Sequence, residues 1–153
     1  MKLYGIFAIV SVLFLSCFGC ESKHGTVVID LNGTTWCSYS DDGKPSILLY
    51  FKDGYYMEMF SSLKGDFSMP SERIKYKLSI KDNSIHIIPI SSPKLPPFIV
   101  RENGSYLDET WPIGQGKTIY KKISEHNANK LLKDFNLSAI NVSKLKIRKF
   151  SAQ

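Results

Sequence analysis

Ile47-Leu48-Leu49-Tyr50-Phe51-Lys52-Asp53-Gly54-Tyr55-Tyr56-Met57-Glu58-Met59-Phe60 is the stretch that decides the fold. Two runs of aliphatic and aromatic residues flank Asp53-Gly54. A type I′ turn needs positive φ at both central positions, and Asp-Gly between β-forming runs meets that need. The stretch therefore predicts a β-hairpin with strands over Ile47–Lys52 and Tyr55–Phe60.

Outward from this hairpin the chain reads as short strands parted by turn signals, the pattern of an all-β barrel or sandwich. On the N-terminal side, Thr26–Asp30 is β-branched, Asn32-Gly33 turns the chain, and Thr34–Tyr39 is a further strand. Asp41-Asp42-Gly43-Lys44-Pro45 is a loop. On the C-terminal side, Ser61–Ser71 is polar. Ile74–Ile80 then alternates, with Ile74, Tyr76, Leu78 and Ile80 on one face and Lys75, Lys77 and Ser79 on the other. Lys81-Asp82-Asn83-Ser84 turns into Ile85–Ile90. Ser91–Pro97 holds three prolines, which cannot donate to a sheet ladder, so it is a loop or an edge. Phe98–Glu102 and Ser105–Asp108 flank Asn103-Gly104 as another hairpin. Trp111–Gly116 is a loop, and Lys117–Ile123 is the last clear strand. The expected fold is mainly β: a single small antiparallel barrel or sandwich of eight to nine strands, with a C-terminal amphipathic helix.

That helix is read over Glu125–Phe135. Ser124 is a candidate N-cap, Glu125 stands in the first turn, and Leu131, Leu132 and Phe135 fall at helical spacing. Beyond it, Leu145 and Ile147 alternate with Lys146 and Arg148 in the manner of a basic edge strand. The net charge of +6 is unevenly spread. Cys20 to Gly116 carries 10 Lys+Arg against 12 Asp+Glu; Lys117 to Gln153 carries 9 against 2. A basic end of this kind, with Lys144, Lys146, Arg148 and Lys149 at its tip, suggests an anionic partner. Phospholipid head groups or an acidic protein fit that description. A solvated basic face is the plainer reading.

The N-terminus supplies an address. Lys2 is followed by an apolar run from Leu3 to Leu15, then Ser16-Cys17-Phe18-Gly19-Cys20. A basic start, a short apolar region and small residues make a secretory signal. The run is shorter than the about 20 residues that a bilayer core demands. Cysteine at the cleavage point makes the segment resemble a bacterial lipoprotein signal, in which the cysteine is acylated. Cys17 has the better preceding residues and Cys20 the more usual polar sequel, so both stand as candidates. Acylation of Cys17 would leave Cys20 and Cys37 as a candidate disulfide in an oxidising periplasm. Otherwise Cys37 is a small buried thiol after Trp36. The expected organisation is a signal and lipidation site over residues 1–20, a polar tether over 21–25, a β-barrel domain over 26–123, and a basic helix and tail over 124–153. Roughly 135 residues after cleavage suffice for one domain with its own core.

Three local patterns resemble the bacterial lipocalin-like lipoproteins across residues 31 to 123. Leu31-Asn32-Gly33-Thr34-Thr35-Trp36 matches an opening Leu-x-Gly-Thr-Trp. Phe51-Lys52-Asp53-Gly54-Tyr55-Tyr56 matches a Phe-x-x-Gly-x-Tyr hairpin, and Thr118-Ile119-Tyr120-Lys121-Lys122 a final strand with a basic end. One residue departs: two threonines separate Gly33 from Trp36. That moves the tryptophan to the other strand face unless a bulge compensates. The opening also resembles META-type lipoprotein domains, whose later Gly-Cys-Asn signature is missing. The resemblance implies that Trp36 closes one barrel end. It also implies that Tyr50, Tyr55, Tyr76 and Tyr106, with Phe51, Tyr56 and Phe60, either line a ligand cavity or fill the interior as core.

Catalytic and cofactor motifs are not found in the sequence. His24, His86 and His126 stand at no metal-ligand spacing with Cys, Asp or Glu. There is no Gly-x-Ser-x-Gly elbow and no phosphate-cradling glycine loop. Asp41-Asp42 and Asp108-Glu109 read as loop carboxylates. The expectation is a non-enzymatic binding module without metal or cofactor, held by lipid to the inner or outer membrane and facing the periplasm. Its ligand is a hydrophobic or envelope molecule, or its target is a protein. In the second case it acts as an inhibitor or immunity protein against a toxin or lysozyme-like enzyme. Nucleic acid is not expected as a partner of an exported lipoprotein.

Overall fold

Asp53 and Gly54 both adopt positive φ, 53° and 77°, and the hairpin they join anchors the sheet. A computed structural model describes residues 29–112 and 116–149 of the chain. The segment read as a lipoprotein signal, with Cys17 and Cys20, the expected tether and most of Thr26–Asp30 lie outside the described residues. Eight strands run up and down: β1 Thr35–Tyr39, β2 Pro45–Lys52, β3 Tyr55–Phe60, β4 Glu72–Lys81, β5 Ser84–Pro89, β6 Phe98–Arg101, β7 Tyr106–Thr110 and β8 Lys117–Ile123. Each pairs with its chain neighbours in antiparallel register. β1 pairs with β8, and β3 with β4, so the ring closes into a barrel. Closure pairs every strand on both sides over part of its length and so limits free sheet edges, the usual liability of an all-β domain. Ile29 and Asp30 belong to no strand, so the expected strand is not seen at its described end.

Tight turns gather at one end of the barrel and long loops at the other. At the tight-turn end, the backbone of Gly33 and Phe51 and the side chain of Asn32 tie the entering chain to the β2–β3 hairpin. Trp36 points into the barrel, where its indole N–H donates to the Thr34 hydroxyl at 3.0 Å. No bulge interrupts β1 before Ser38. The extra threonine is instead absorbed before the strand, in the turn closed by Thr34 N–H onto the Leu31 carbonyl.

The barrel has two cores, one on each side of its wall. Inside lie Leu31, Trp36, Leu49, Phe51, Tyr56, Ile74, Ile87, Phe98, Leu107 and Tyr120. Outside, Cys37, Leu48, Tyr50, Met57 and Met59 on β1 to β3, with Phe67 of the loop after β3, form a second cluster. The C-terminal segment covers it. α1 spans Glu125–Leu131, shorter than the expected helix to Phe135, and is capped by Ser124, whose hydroxyl accepts from Asn127 N–H. Two 3₁₀ turns follow, and Ala128, Leu132, Leu137, Ile140 and Val142 press onto the outer cluster.

The expected wet-and-dry alternation of Ile74–Ile80 fades along β4. Ile74 and Tyr76 turn inward, but Leu78 and Ile80 are exposed. The reason is overhang: β5 meets β6 only at His86 and Ile87, so the far part of the β4–β5 hairpin projects past the barrel wall.

Candidate functional site

The β3–β4 ladder stops early. Its two rungs are Tyr55–Lys75 and Tyr56–Ile74. Continued in register, the next would be Met57–Arg73 and then Glu58–Glu72. Instead the strands part toward the long-loop end. The freed edge of β4 takes another partner, the two-residue strand β9 at Lys146–Ile147, which pairs in parallel with Glu72 and Arg73. Arg148 follows and fills the opening. Its Nε donates to Glu72 and its Nη1 to Glu58, each at 2.6 Å. Its own backbone N–H donates to the Arg73 carbonyl, and its carbonyl accepts from the buried Ser92 hydroxyl at 3.0 Å.

Strand alternation places Glu58 on the same face as Tyr56, toward the lumen. Its side chain is 9 % exposed. Burial raises the Glu58 carboxyl, and the Arg148 guanidinium pulls it back. Burial also lowers Arg148, but its two carboxylate partners outweigh that and hold it above its ordinary value. Deeper in the same end lies Glu109, which accepts from the Tyr120 hydroxyl at 2.8 Å. Burial pushes Glu109 up to about 7. Tyr56, fully buried, has a hydroxyl with no hydrogen-bond partner among the described residues, within electrostatic reach of Glu58, Glu109 and Arg148.

Outside the opening lies a notch of about 170 Å³ between Glu58, Glu72 and Arg148. It shares Phe60, Ser68 and Met69 with a larger groove of about 700 Å³ that ends at Phe135. Phe60 is 55 % and Met69 45 % exposed, and Leu63 on the same loop stands fully in solvent. Phe60 and Met69 thus leave apolar surface open along the groove.

The four tyrosines expected around one cavity are separated. Tyr76 turns inward, 5.4 Å from the Phe51 ring. Tyr50 and Tyr55 lie on the outer face beneath the C-terminal cover, where Tyr55 also carries the Arg73 guanidinium over its ring. Tyr106 precedes the inward Leu107 and therefore faces out. Inside, Phe51, Tyr56, Tyr76, Phe98 and Tyr120 contact one another with ring centroids 5.3 to 6.5 Å apart.

The basic tail is divided too. Lys144, Lys146 and Lys149 are exposed, whereas Arg148 is committed to Glu58 and Glu72 and is not a free surface cation. Among the described residues Cys37 has no disulfide partner, and it has no exposed surface; its candidate disulfide partner Cys20 is outside the described residues. Sequence reasoning missed Glu58, Glu72 and Tyr120. A signal existed for Glu58, a lone carboxylate in the apolar run of β3 at the parity of Tyr56. Nothing local marks Glu72, and Tyr120 reads only as part of the final strand.

Among the described residues, no group of three or more His, Cys, Asp or Glu is placed to hold a metal ion, and no helix is long and apolar enough to cross a membrane. The fold defines the class: a closed, eight-stranded, up-and-down antiparallel barrel with one added strand, consistent with a lipocalin-like fold. Comparison with protein-family models, with curated proteins and with solved structures gives no match.

Proposed function

We propose that the protein is a non-enzymatic binding module, tethered to a membrane by an N-terminal lipid on Cys17 or Cys20, that engages a protein partner with its outer surface at the long-loop end. The observation that carries this reading is the filled interior. Five aromatic rings meet edge to face where a ligand would have to sit, and small barrels of this size hold either side chains or one small ligand. The exposed groove beside Phe60 and Met69 offers contact area outside. An inhibitor or immunity role toward a toxin or lysozyme-like enzyme fits such a surface. A hydrophobic or envelope ligand inside the barrel is the weaker reading, because those rings would have to part to admit it.

Native mass spectrometry of the mature protein, purified from its own envelope in mild detergent, tests the proposal. The expected result is an acylated cysteine and a stoichiometric protein partner. An extractable lipid beyond the anchor, with no protein partner, would overturn the outer-surface reading. An unmodified N-terminus would overturn the tether.

A further inference from the structure

The tail shows how the β3–β4 opening binds a chain. β9 is two residues long, and both are exposed. It buries no apolar anchor. What holds it is backbone pairing along β4, through Lys146 N–H to the Ser71 carbonyl at 3.3 Å and Arg148 N–H to the Arg73 carbonyl at 2.9 Å, the Ser92 hydroxyl on the Arg148 carbonyl, and one guanidinium between Glu58 and Glu72, with Leu145 just before it packed on the outer cluster. Main-chain pairing to a sheet edge gives affinity without sequence, and the side-chain pocket beside it gives selectivity. Here the pocket is a pair of carboxylates from two strands, a geometry that suits the planar fork of arginine.

The seat also has room and charge that the tail leaves unused. One guanidinium faces Glu58 and Glu72, with Glu109 on β7 and the Tyr56 hydroxyl, which has no hydrogen-bond partner among the described residues, behind them. The notch runs into the groove lined by exposed Phe60 and Met69.

We propose that this notch is a docking site for an extended, arginine-bearing segment of another protein, which pairs with β4 at Glu72–Arg73, places its guanidinium between Glu58 and Glu72, and displaces residues 146–148 of this chain. In the free protein Arg148 is the resting occupant. The inference rests on the outer-surface reading above and names the chemistry of the partner.

The probe is a synthetic peptide of the tail sequence, Lys-Leu-Lys-Ile-Arg-Lys, titrated calorimetrically into the mature protein. Arg148→Ala takes the resting guanidinium from between Glu58 and Glu72 and loosens the tail, and this variant is expected to bind the peptide at least tenfold more tightly than wild type. Citrulline in place of the peptide's arginine keeps shape and loses charge; it is expected to cost at least tenfold. Glu72→Gln in the Arg148→Ala background should weaken binding at least fivefold. An Arg148→Ala protein with a native near-ultraviolet spectrum that binds no better than wild type overturns the proposal. If that variant does not fold, the wild type is titrated instead and the amide resonances of Lys146, Ile147 and Arg148 are followed. Their displacement by arginine peptide, and not by citrulline peptide, supports the proposal; no change at millimolar peptide overturns it. An envelope partner whose binding is indifferent to Glu72→Gln overturns the notch while leaving the outer-surface reading standing.

Discussion

The Tyr120 hydroxyl donates to the Glu109 carboxylate at 2.8 Å, and both side chains are buried inside the barrel. A carboxylate taken out of water favours its protonated form, and one hydroxyl only partly offsets that. Together with Glu58, which adds a like charge nearby, the pair makes the long-loop half of the lumen acidic and the tight-turn half, around Leu31 and Trp36, apolar.

Stability should therefore fall as pH rises. Glu109 titrates near 7 in the folded protein against 4.5 when unperturbed. Between those values the native state binds more protons than the unfolded chain. Its stabilisation is complete below the unfolded value and is lost as pH climbs through the folded one. A shift of this size corresponds to about 3 kcal/mol. Glu109→Gln keeps an acceptor for Tyr120 and removes the titration. Urea unfolding from pH 5 to 8 should show a declining midpoint for wild type and a flatter one for the variant. Glu58, also raised by burial, keeps a share of the slope in both. Parallel profiles would rule out Glu109 as the source.

The C-terminal segment is structural before it is anything else. Leu137 is fully buried and Ile140 nearly so, against Leu48, Met57 and Met59 on the outer barrel wall. Leu137→Ala and Ile140→Ala should each cost about 2–5 kcal/mol, the usual range for truncating a buried aliphatic side chain. Ending the chain after Ile123 strips the whole cover. That loss is comparable to the total stability of a small domain, about 5–15 kcal/mol. The truncated protein should bind a hydrophobic dye and lose its cooperative thermal transition, read by circular dichroism. Retained cooperativity would show that the barrel stands alone.

Arg148 closes the barrel where β3 and β4 part. Removing it leaves Glu58 buried with no counter-charge, and breaking a buried pair from one side costs about 3–5 kcal/mol. Arg148→Ala is expected near the lower end of that range, because its side chain is 23 % exposed. Glu58→Gln on top of Arg148→Ala removes the stranded charge and should restore part of the loss. A double variant no more stable than Arg148→Ala would place the cost in the backbone pairing of β9. Thermal denaturation of the three proteins at pH 7 decides it.

The fold was legible where the signals are local. Asp53-Gly54 fixes its hairpin because only certain residues accept positive φ at both positions, and β3 and β8 begin and end where the residue pattern places them. The inside and the outside of the barrel were not legible. β2 reads Ile47-Leu48-Leu49-Tyr50-Phe51, apolar at every position. Such a run is buried on both faces and carries no alternation to say which face is the lumen. Tyr50 therefore could not be told from Phe51, although one lies beneath the C-terminal cover and the other inside. The continuity of the run was itself the sign that something covers the outer face. The Arg148–Glu72 pairing joins residues 76 positions apart. Only the parting of β3 from β4 brings them together, and no local pattern encodes that.

Cys37 reports on the outer cover. It has no exposed surface, its thiol donates to the Ser38 carbonyl at 3.3 Å, and burial pushes it up to about 11. The thiolate is the reactive form, so a thiol that is both buried and held protonated at neutral pH reacts only when the structure opens. Native protein should react with an aromatic disulfide reagent at pH 8 at the rate of that opening, orders of magnitude more slowly than after denaturation. Leu137→Ala, which loosens the cover over the same cluster, should speed the reaction at least tenfold. Arg148→Ala should speed it less, because Arg148 lies across the seam and is absent from the outer cluster. Fast labelling of the native wild type would show that the C-terminal segment is not seated over β1. A denatured protein that takes up no reagent at Cys37 until reduced would show instead that the thiol is engaged in a disulfide, with Cys20 the candidate partner.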